Sequence, residues 1–315
     1  MALSLTEAAK LLQNDLQRGV VETIIEDSPL LQMLPFQEVA GNAYAYTQEN
    51  ALPSVGFRTV NNGYTEAAGT FTSKTETLAI LGGDVDVDRY ITKTRPGEVA
   101  DQRAEQTRMK AKAVRRAFQD AFINGVTGSN EFDGLKTRLS TLTSQDIATG
   151  TNGLPIVGAD DAARHAFLDK LDEAIAAVEG TPDIILMNAG CLAKFKSAAR
   201  RLTIYDETKD EFGKPVATYQ GIPLMDIGTD EAGNAILPQT ETQGSSSVAA
   251  SIYIVRFGRT PEEKGTTGLT NGMVQVYDLG EIDTKPAFRT RIEFYCALAV
   301  HGDKSFARLK GVLAS

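Results

Sequence analysis

Few residues in this 315-residue sequence could carry chemistry. The histidines are His165, inside a helical pattern, and His301, at the end of a strand pattern, so a serine or cysteine triad has few possible bases. His301, Asp303 and Ser305 stand two apart, but triads are assembled from separate segments, and no G-x-S-x-G elbow occurs. Asp84-x-Asp86-x-Asp88 begins like a calcium loop, yet Arg89 stands where the glycine is required and Arg95 where the bidentate glutamate is required. A strand with an acidic outer face is the better reading. The glycines of the stretch 265–272 are followed by no G-K-[ST], and no strand-turn-helix G-x-G-x-x-G appears, so nucleotide binding has no support. Cys191 and Cys296 lie in apolar runs without a second thiol or histidine at ligand spacing, which marks them as buried and reduced. The residues thus point to a protein that is not an enzyme and has no catalytic residue, metal site or cofactor.

The elements that would position any site must come from an ordinary globular composition, 42% hydrophobic and 23% charged. A net charge of -9 opposes tight binding to a phosphate backbone, so contact with nucleic acid should be local or weak. There is no signal-peptide pattern and no apolar run of the ~18 residues a membrane helix needs, which predicts no membrane association and a protein that stays in the cytosol.

Ser4-x-x-Glu7 is a capping box, and Leu5, Ala8, Leu12, Leu16, Val20 and Ile24 follow at helical spacing, so the chain should open with an amphipathic helix ending near Ser28-Pro29. Leu30, Leu31, Met33, Leu34 and Phe36 then form an apolar stretch expected to dock on something else. From Gly41 to Tyr90 the pattern is strand and turn: Tyr44 and Tyr46 alternate, Asn61-Asn62-Gly63 marks a turn, and Thr70 to Leu81 is extended. Such a two-stranded ribbon has too few apolar residues to fold around and must lie on a neighbour. After Pro96-Gly97 a helix of about 40 Å should run to Asn124-Gly125, burying Ala100, Ala104, Ala111, Val114, Phe118 and Ala121 or Phe122. Its other face carries Arg103, Arg108, Lys110, Lys112, Arg115 and Arg116, read first as a solvated face of ion pairs and second as a patch touching DNA.

The stretch 125–158 reads as loops. A compact α/β unit follows, with helices over 161–179 and 188–201, a buried strand at Ile184–Met187, and strands near 219–227 and 251–257 separated by a polar loop. Strands at 273–279 and 287–300 end the pattern, the latter alternating with a period of two. Phe306, Leu309 and Val312, three apart, predict a short helical turn.

The order of elements (arm, long ribbon, very long helix, α/β insertion, closing strands) resembles the major capsid proteins of tailed bacteriophages with the Hong Kong 97-like fold. Local sequences carry the resemblance across nearly the whole chain. They are Thr6 to Lys10 leading into Val21 to Ile25, Ser28-Pro29-Leu30-Leu31, Leu34-Pro35-Phe36, Leu186-Met187-Asn188, Tyr219 to Pro223, and Arg289 to Tyr295 leading to Phe306 to Leu309. The resemblance implies an α+β fold: residues 1–40 an N-terminal arm, 41–92 the extended loop, 93–160 with 273–315 a peripheral domain around a spine helix, and 161–272 an α/β axial domain. It implies self-assembly into hexamers and pentamers of an icosahedral virion capsid around double-stranded DNA, assembled in the host cytoplasm. Expected partners are other copies of the chain, a portal protein, separate scaffolding and decoration proteins, and packaged DNA through weak nonspecific contacts.

Leu30, Leu31, Phe36, Phe57, Arg58, Tyr64, Phe71 and Lys74 are the candidate intersubunit residues, and Lys112, Arg115 and Arg116 the candidate basic residues of the inner surface. The founding member of the fold joins subunits by a Lys-to-Asn isopeptide bond. Lys74 lies in the ribbon here, but no asparagine occurs from Met273 onward, so noncovalent locking is expected. Two other readings stand beside this one: an encapsulin-like nanocompartment shell, and a soluble α/β enzyme built on the middle region.

Overall fold

A computed structural model describes residues 3–4, 19–20, 24, 28–94, 99–202, 206–209 and 215–314. The expected opening helix lies mostly outside them, although Val20 and Ile24 are helical and buried.

In chain order the first elements are β1 (Leu3–Ser4), α1 (Pro29–Met33), β2 (Pro35–Glu38), β3 (Ala43–Ala51), β4 (Thr70–Thr77), β5 (Ala79–Asp88), α2 (Arg89–Thr94) and α3 (Val99–Asn124). The middle holds α4 (Leu135–Arg138), β6 (Asp146–Ala148), β7 (Leu154–Pro155), α5 (Asp161–Ala176), β8 (Ile184–Met187) and α6 (Ala189–Leu202). After these come β9 (Asp206–Lys209), β10 (Pro215–Tyr219), β11 (Ile222–Asp226), β12 (Glu241–Gln243), β13 (Ser246–Val255), β14 (Thr266–Glu281), β15 (Ala287–Val300) and β16 (Phe306–Leu313). One sheet has the order β1-β2-β14-β15-β5. A second runs β6-β16-β13-β8-β11-β10-β9, with β7 on β16 and β12 on β13, while β3 and β4 pair only with each other.

The helix α3 forms because small and apolar residues recur at spacings of three and four: Thr107, Ala111, Val114, Phe118, Ala121 and Phe122 are buried on one face. Ala104, expected there, is exposed. Thr107 closes that turn instead, its hydroxyl donating to the Arg103 carbonyl at 2.8 Å. The helix packs on the five-stranded sheet through an aromatic knot. Phe118 lies 5.9 Å from Phe36, 5.7 Å from Phe294 and 5.7 Å from Phe132, ring centre to ring centre. Ser28 caps α1, its Oγ accepting from Leu31 N at 3.3 Å and from Gln119 Nε2 of α3 at 3.0 Å, so one hydroxyl ties the start of α1 to the long helix.

The nine-stranded sheet divides two cores. On β8, Ile184 and Leu186 face the core shared with α3, while Ile185 and Met187 face the one beneath α5 and α6 with Phe167, Leu171 and Phe195. A strand buried on both faces reads as an unbroken apolar run, which is how Ile184–Met187 reads.

One expectation is corrected. The closing segment is strand β16, not a helical turn, and it pairs with β13 in the nine-stranded sheet. The register shifts between Ala250 and Ser251, opposite Gly311 with its φ of 82°, so a bulge puts Leu309 and Val312 on the same side. The bulge therefore mimics a helical spacing of three. Strands also run past the positions expected to bound the domains: β14 spans 272/273 with a register shift between Thr270 and Val274, β16 returns to the sheet of the middle region, and β5 pairs along its length with β15 rather than extending the β3–β4 ribbon.

Candidate intersubunit surface

The β3–β4 ribbon is antiparallel from Ala43↔Thr77 to Ala51↔Thr70, with a bulge at its far end. Beyond it residues 52–69 form no further strand or helix. Asn61 turns the chain in the left-handed region (φ 68°), and Asn62 Nδ2 donates to Thr59 Oγ1 at 2.6 Å, which places the turn at the expected Asn-Asn-Gly. Around it the apolar side chains have nothing to pack on: Phe57 is 110% exposed, Val55 95%, Val60 87% and Phe71 68%. Arg58 lies over the Tyr64 ring at 5.2 Å and donates to the Asn62 carbonyl at 3.2 Å, so the tip carries a cation on an aromatic face. Several large apolar side chains are thus exposed within one short segment.

The candidate residues separate into three groups. Phe57, Arg58, Tyr64 and Phe71 lie together on the exposed ribbon. Leu30, Leu31 and Phe36 do not: they are 1%, 1% and 2% exposed within their own chain. This corrects the expectation that they dock on a neighbour, because α1 and β2 bury them against α3, and β2 pairs in parallel with β14. Lys74 sits near the base of the ribbon, its Nζ 3.4 Å from Asp303.

The base is a cluster that sequence reasoning missed. Tyr46 is buried, its hydroxyl donating to the Val300 carbonyl at 3.0 Å and lying 3.2 Å from Glu76 Oε1. Burial pushes its phenol well above the usual range, with the Glu76 charge adding to the effect. Arg138 grips Glu76 through Nη1 at 2.7 Å and Nη2 at 3.0 Å and also donates to the Leu298 carbonyl. Burial opposes the Arg138 charge, but the Glu76 carboxylate more than offsets it and raises the guanidinium. The signals available in the sequence were the Tyr44–Tyr46 alternation and the lone His301. Glu76 and Arg138 lie 62 positions apart and gave none.

His301, Asp303 and Ser305 do not form a relay. Asp303 accepts from Gln48 Nε2 at 2.8 Å, Ser305 faces Thr266 at 3.4 Å, and no hydrogen bond among the described residues joins the three. Asp84 and Asp86 are taken by arginines across the sheet. Arg291 holds Asp84 at 2.7 and 2.9 Å, and Arg289 holds Asp86 at 2.7 and 2.8 Å. Arg291 lowers the Asp84 carboxyl, chiefly through that hydrogen bond, and Arg289 and Lys285 do the same to Asp86. Both cysteines are buried free thiols, and burial pushes Cys191 up to about 11.

The proposed basic inner face is also corrected in part. Arg115 is buried, lining a cavity of ≈ 350 Å³ between α3, α6 and the β10–β11 hairpin. Arg116 donates to the Asp230 carbonyl at 3.4 Å, and Lys112 is half-buried. Arg103 pairs with Asp278 and Thr290 instead of reaching solvent alone.

Residues 13–160 match the family model described as Major capsid protein GP7. The holo-SrpI encapsulin complex from Synechococcus elongatus PCC 7942 is similar at 18% identity and a TM-score of 0.65, over 100% of this chain and 98% of that one. The capsid of a native GTA particle is similar at 17% identity and 0.59, over 90% and 89% of the two chains. A chain of Mycobacterium phage Bobi is similar at 13% identity and 0.57, over 98% of each. At these identities the likeness is one of fold. No curated protein sequence matches.

Proposed function

We propose that the chain is a major capsid protein of the tailed-bacteriophage kind, as the family match over residues 13–160 and the Hong Kong 97-like fold it shares with phage capsids support, and that it assembles into the hexamers and pentamers of an icosahedral shell around a double-stranded DNA genome. The observation that carries this reading is the exposed ribbon. Its apolar tip has no surface of its own chain to cover it, and a neighbouring copy would provide one. Head-to-tail contacts between unlike patches close into rings when the rotation permits, so one subunit can serve both ring sizes. Interfaces that bury a ribbon in this way fall in the obligate class, roughly 2,000 Å² or more.

The role is structural rather than catalytic. Locking would be noncovalent, with Lys74 already engaged by Asp303 of its own chain. Lys112 and Arg116 remain candidates for contact with packaged DNA, sequence-independent and weakened by salt. Portal, scaffolding and decoration proteins are the partners this role calls for, and the host cytoplasm is the place of assembly.

The encapsulin-like reading shares the fold, and the similarity to the cyanobacterial shell spans the whole chain. The family match over residues 13–160 favours the virus shell. The test is to express the chain, sediment it and image the heavy fraction by cryo-electron microscopy. Closed shells or five- and six-membered rings with the ribbon lying on a neighbour are expected. A dispersed monomer at high concentration would refute assembly, and native particles filled with protein cargo and free of DNA would decide for the nanocompartment.

A further inference from the structure

One buried titratable side chain lies where the ribbon meets the body. His301 is 3% exposed, and neither of its ring nitrogens has a hydrogen-bond partner among the described residues. Its backbone is fixed, the N–H donating to the Gly265 carbonyl at 3.1 Å. On the ribbon side two tyrosine rings stand nearly perpendicular to the imidazole, Tyr46 at 4.8 Å and Tyr44 at 6.1 Å. The Tyr46 hydroxyl donates to the carbonyl of Val300, the preceding residue, at 3.0 Å. The ribbon thus covers one side of the imidazole, and the other borders a partly open pocket of ≈ 400 Å³ lined by Gln48, Glu49, Glu179, Lys264 and Asp303.

We propose that His301 is a proton-operated joint: protonation of its ring unseats Tyr44 and Tyr46 and lets the ribbon change its angle to the body. This rests on the ribbon being the strap between subunits.

Desolvation is what makes the site a poor one for a proton, and the charges around the joint are already committed elsewhere. The ribbon contributes Glu49, Lys74 and Glu76, α4 contributes Arg138, and the turn after β15 contributes Asp303 and Lys304. Lys264 precedes β14, and Glu179 follows α5. Each carboxylate is already engaged: Glu76 by Arg138 and Tyr46, Asp303 by Gln48 and Lys74, and Glu49 and Glu179 by Lys264 at 3.1 and 3.8 Å. A charged imidazole would have to compete with Arg138 for Glu76 or go uncompensated in a desolvated site.

Burial holds the His301 pKa down to about 4, against the ordinary 6.5, and the Glu76 charge pulls weakly the other way. The opened joint therefore binds the proton more tightly than the closed one. Closure is fully favoured above about pH 6.5, weakens by roughly tenfold per pH unit below it, and changes little further below about pH 4.

The experiment is hydrogen exchange of the full chain between pH 7.5 and 4.5, corrected for intrinsic exchange. Protection across 43–51 and 70–77 is expected to fall about tenfold per pH unit below 6.5 while that of α3 holds, and His301→Phe should flatten the dependence. Protection at the base that is flat with pH in the unaltered chain, or that falls equally in His301→Phe, overturns the proposal. If that variant does not fold, the histidine resonances of the unaltered chain decide, with His165→Asn assigning the pair. A His301 signal that titrates in step with loss of protection supports the joint, and one that titrates without it overturns the joint. Exchange is readable in a monomer, so a failure to assemble would sink the shell reading without touching this result.

Discussion

At the scale of single residues, the fold depends on a few polar groups that satisfy partners far away in sequence. Glu76 and Arg138 are the clearest pair, with side chains 15% and 13% exposed, so each is costly to leave alone. Removing one partner of a buried pair strands the other, and Glu76→Gln should lower unfolding free energy by about 3 kcal/mol in denaturant titration. Arg138→Met with Glu76→Leu should lose much less than the sum of the singles, since no charge is then left buried. Ser28→Ala removes the cap of α1 and the acceptor of Gln119 together, so a loss of about 1 to 3 kcal/mol is expected in the same titration.

At the scale of elements, the arm strand β2 sits against β14 because Gly268 leaves room for the Phe36 ring. A Cβ at Gly268 would stand 2.6 Å from Phe36 Cε1, and the two residues are in register. The ring can turn, but only within the knot it shares with Phe118 and Phe294. Gly268→Ala should therefore cost about 1 to 3 kcal/mol, and Gly268→Val more, read as lowered thermal midpoints. Equal stability in Gly268→Ala would mean that β2 is held by its backbone pairing and not by the ring.

At the scale of the whole molecule, stability and assembly should come apart. Phe57, Val55 and Tyr64 contribute little to the isolated chain because they touch little of it. Phe57→Ser with Val55→Ser should leave the monomer's thermal midpoint within the range expected for surface changes, about ±0.5 kcal/mol, while particle yield on sedimentation collapses. A loss of folding together with assembly would show that the tip packs on its own body in solution. Undiminished particles would move the intersubunit contact elsewhere on the surface.

Much of the secondary structure was determined by local pattern. The extent of α3 near its C-terminal end, the doubly buried β8, the alternation along β15 from Thr290 to Cys296 and the unsupported ribbon all follow from periodicity and turn chemistry within one segment. That the ribbon tip leaves its apolar residues exposed was legible for the same reason: its shortage of apolar neighbours is a property of the segment. What the sequence could not determine is which distant segment each face meets. Leu30, Leu31 and Phe36 carry an apolar signal that fits a neighbour's surface as well as their own chain, and only the position of α3 and β14 turns them inward. Arg115 carries the signal of an exposed cation but is buried, lining a cavity that it shares with the β10–β11 hairpin about a hundred residues away. The bulge at Gly311 shows the same limit, since a period of three is shared by a helix and by a bulged strand until β13 supplies the pairing. The physical reason is that periodicity records how a segment is half-buried, whereas the hydrogen bonds and ring contacts of the joint close between residues up to 257 positions apart, as Tyr44 and His301 are.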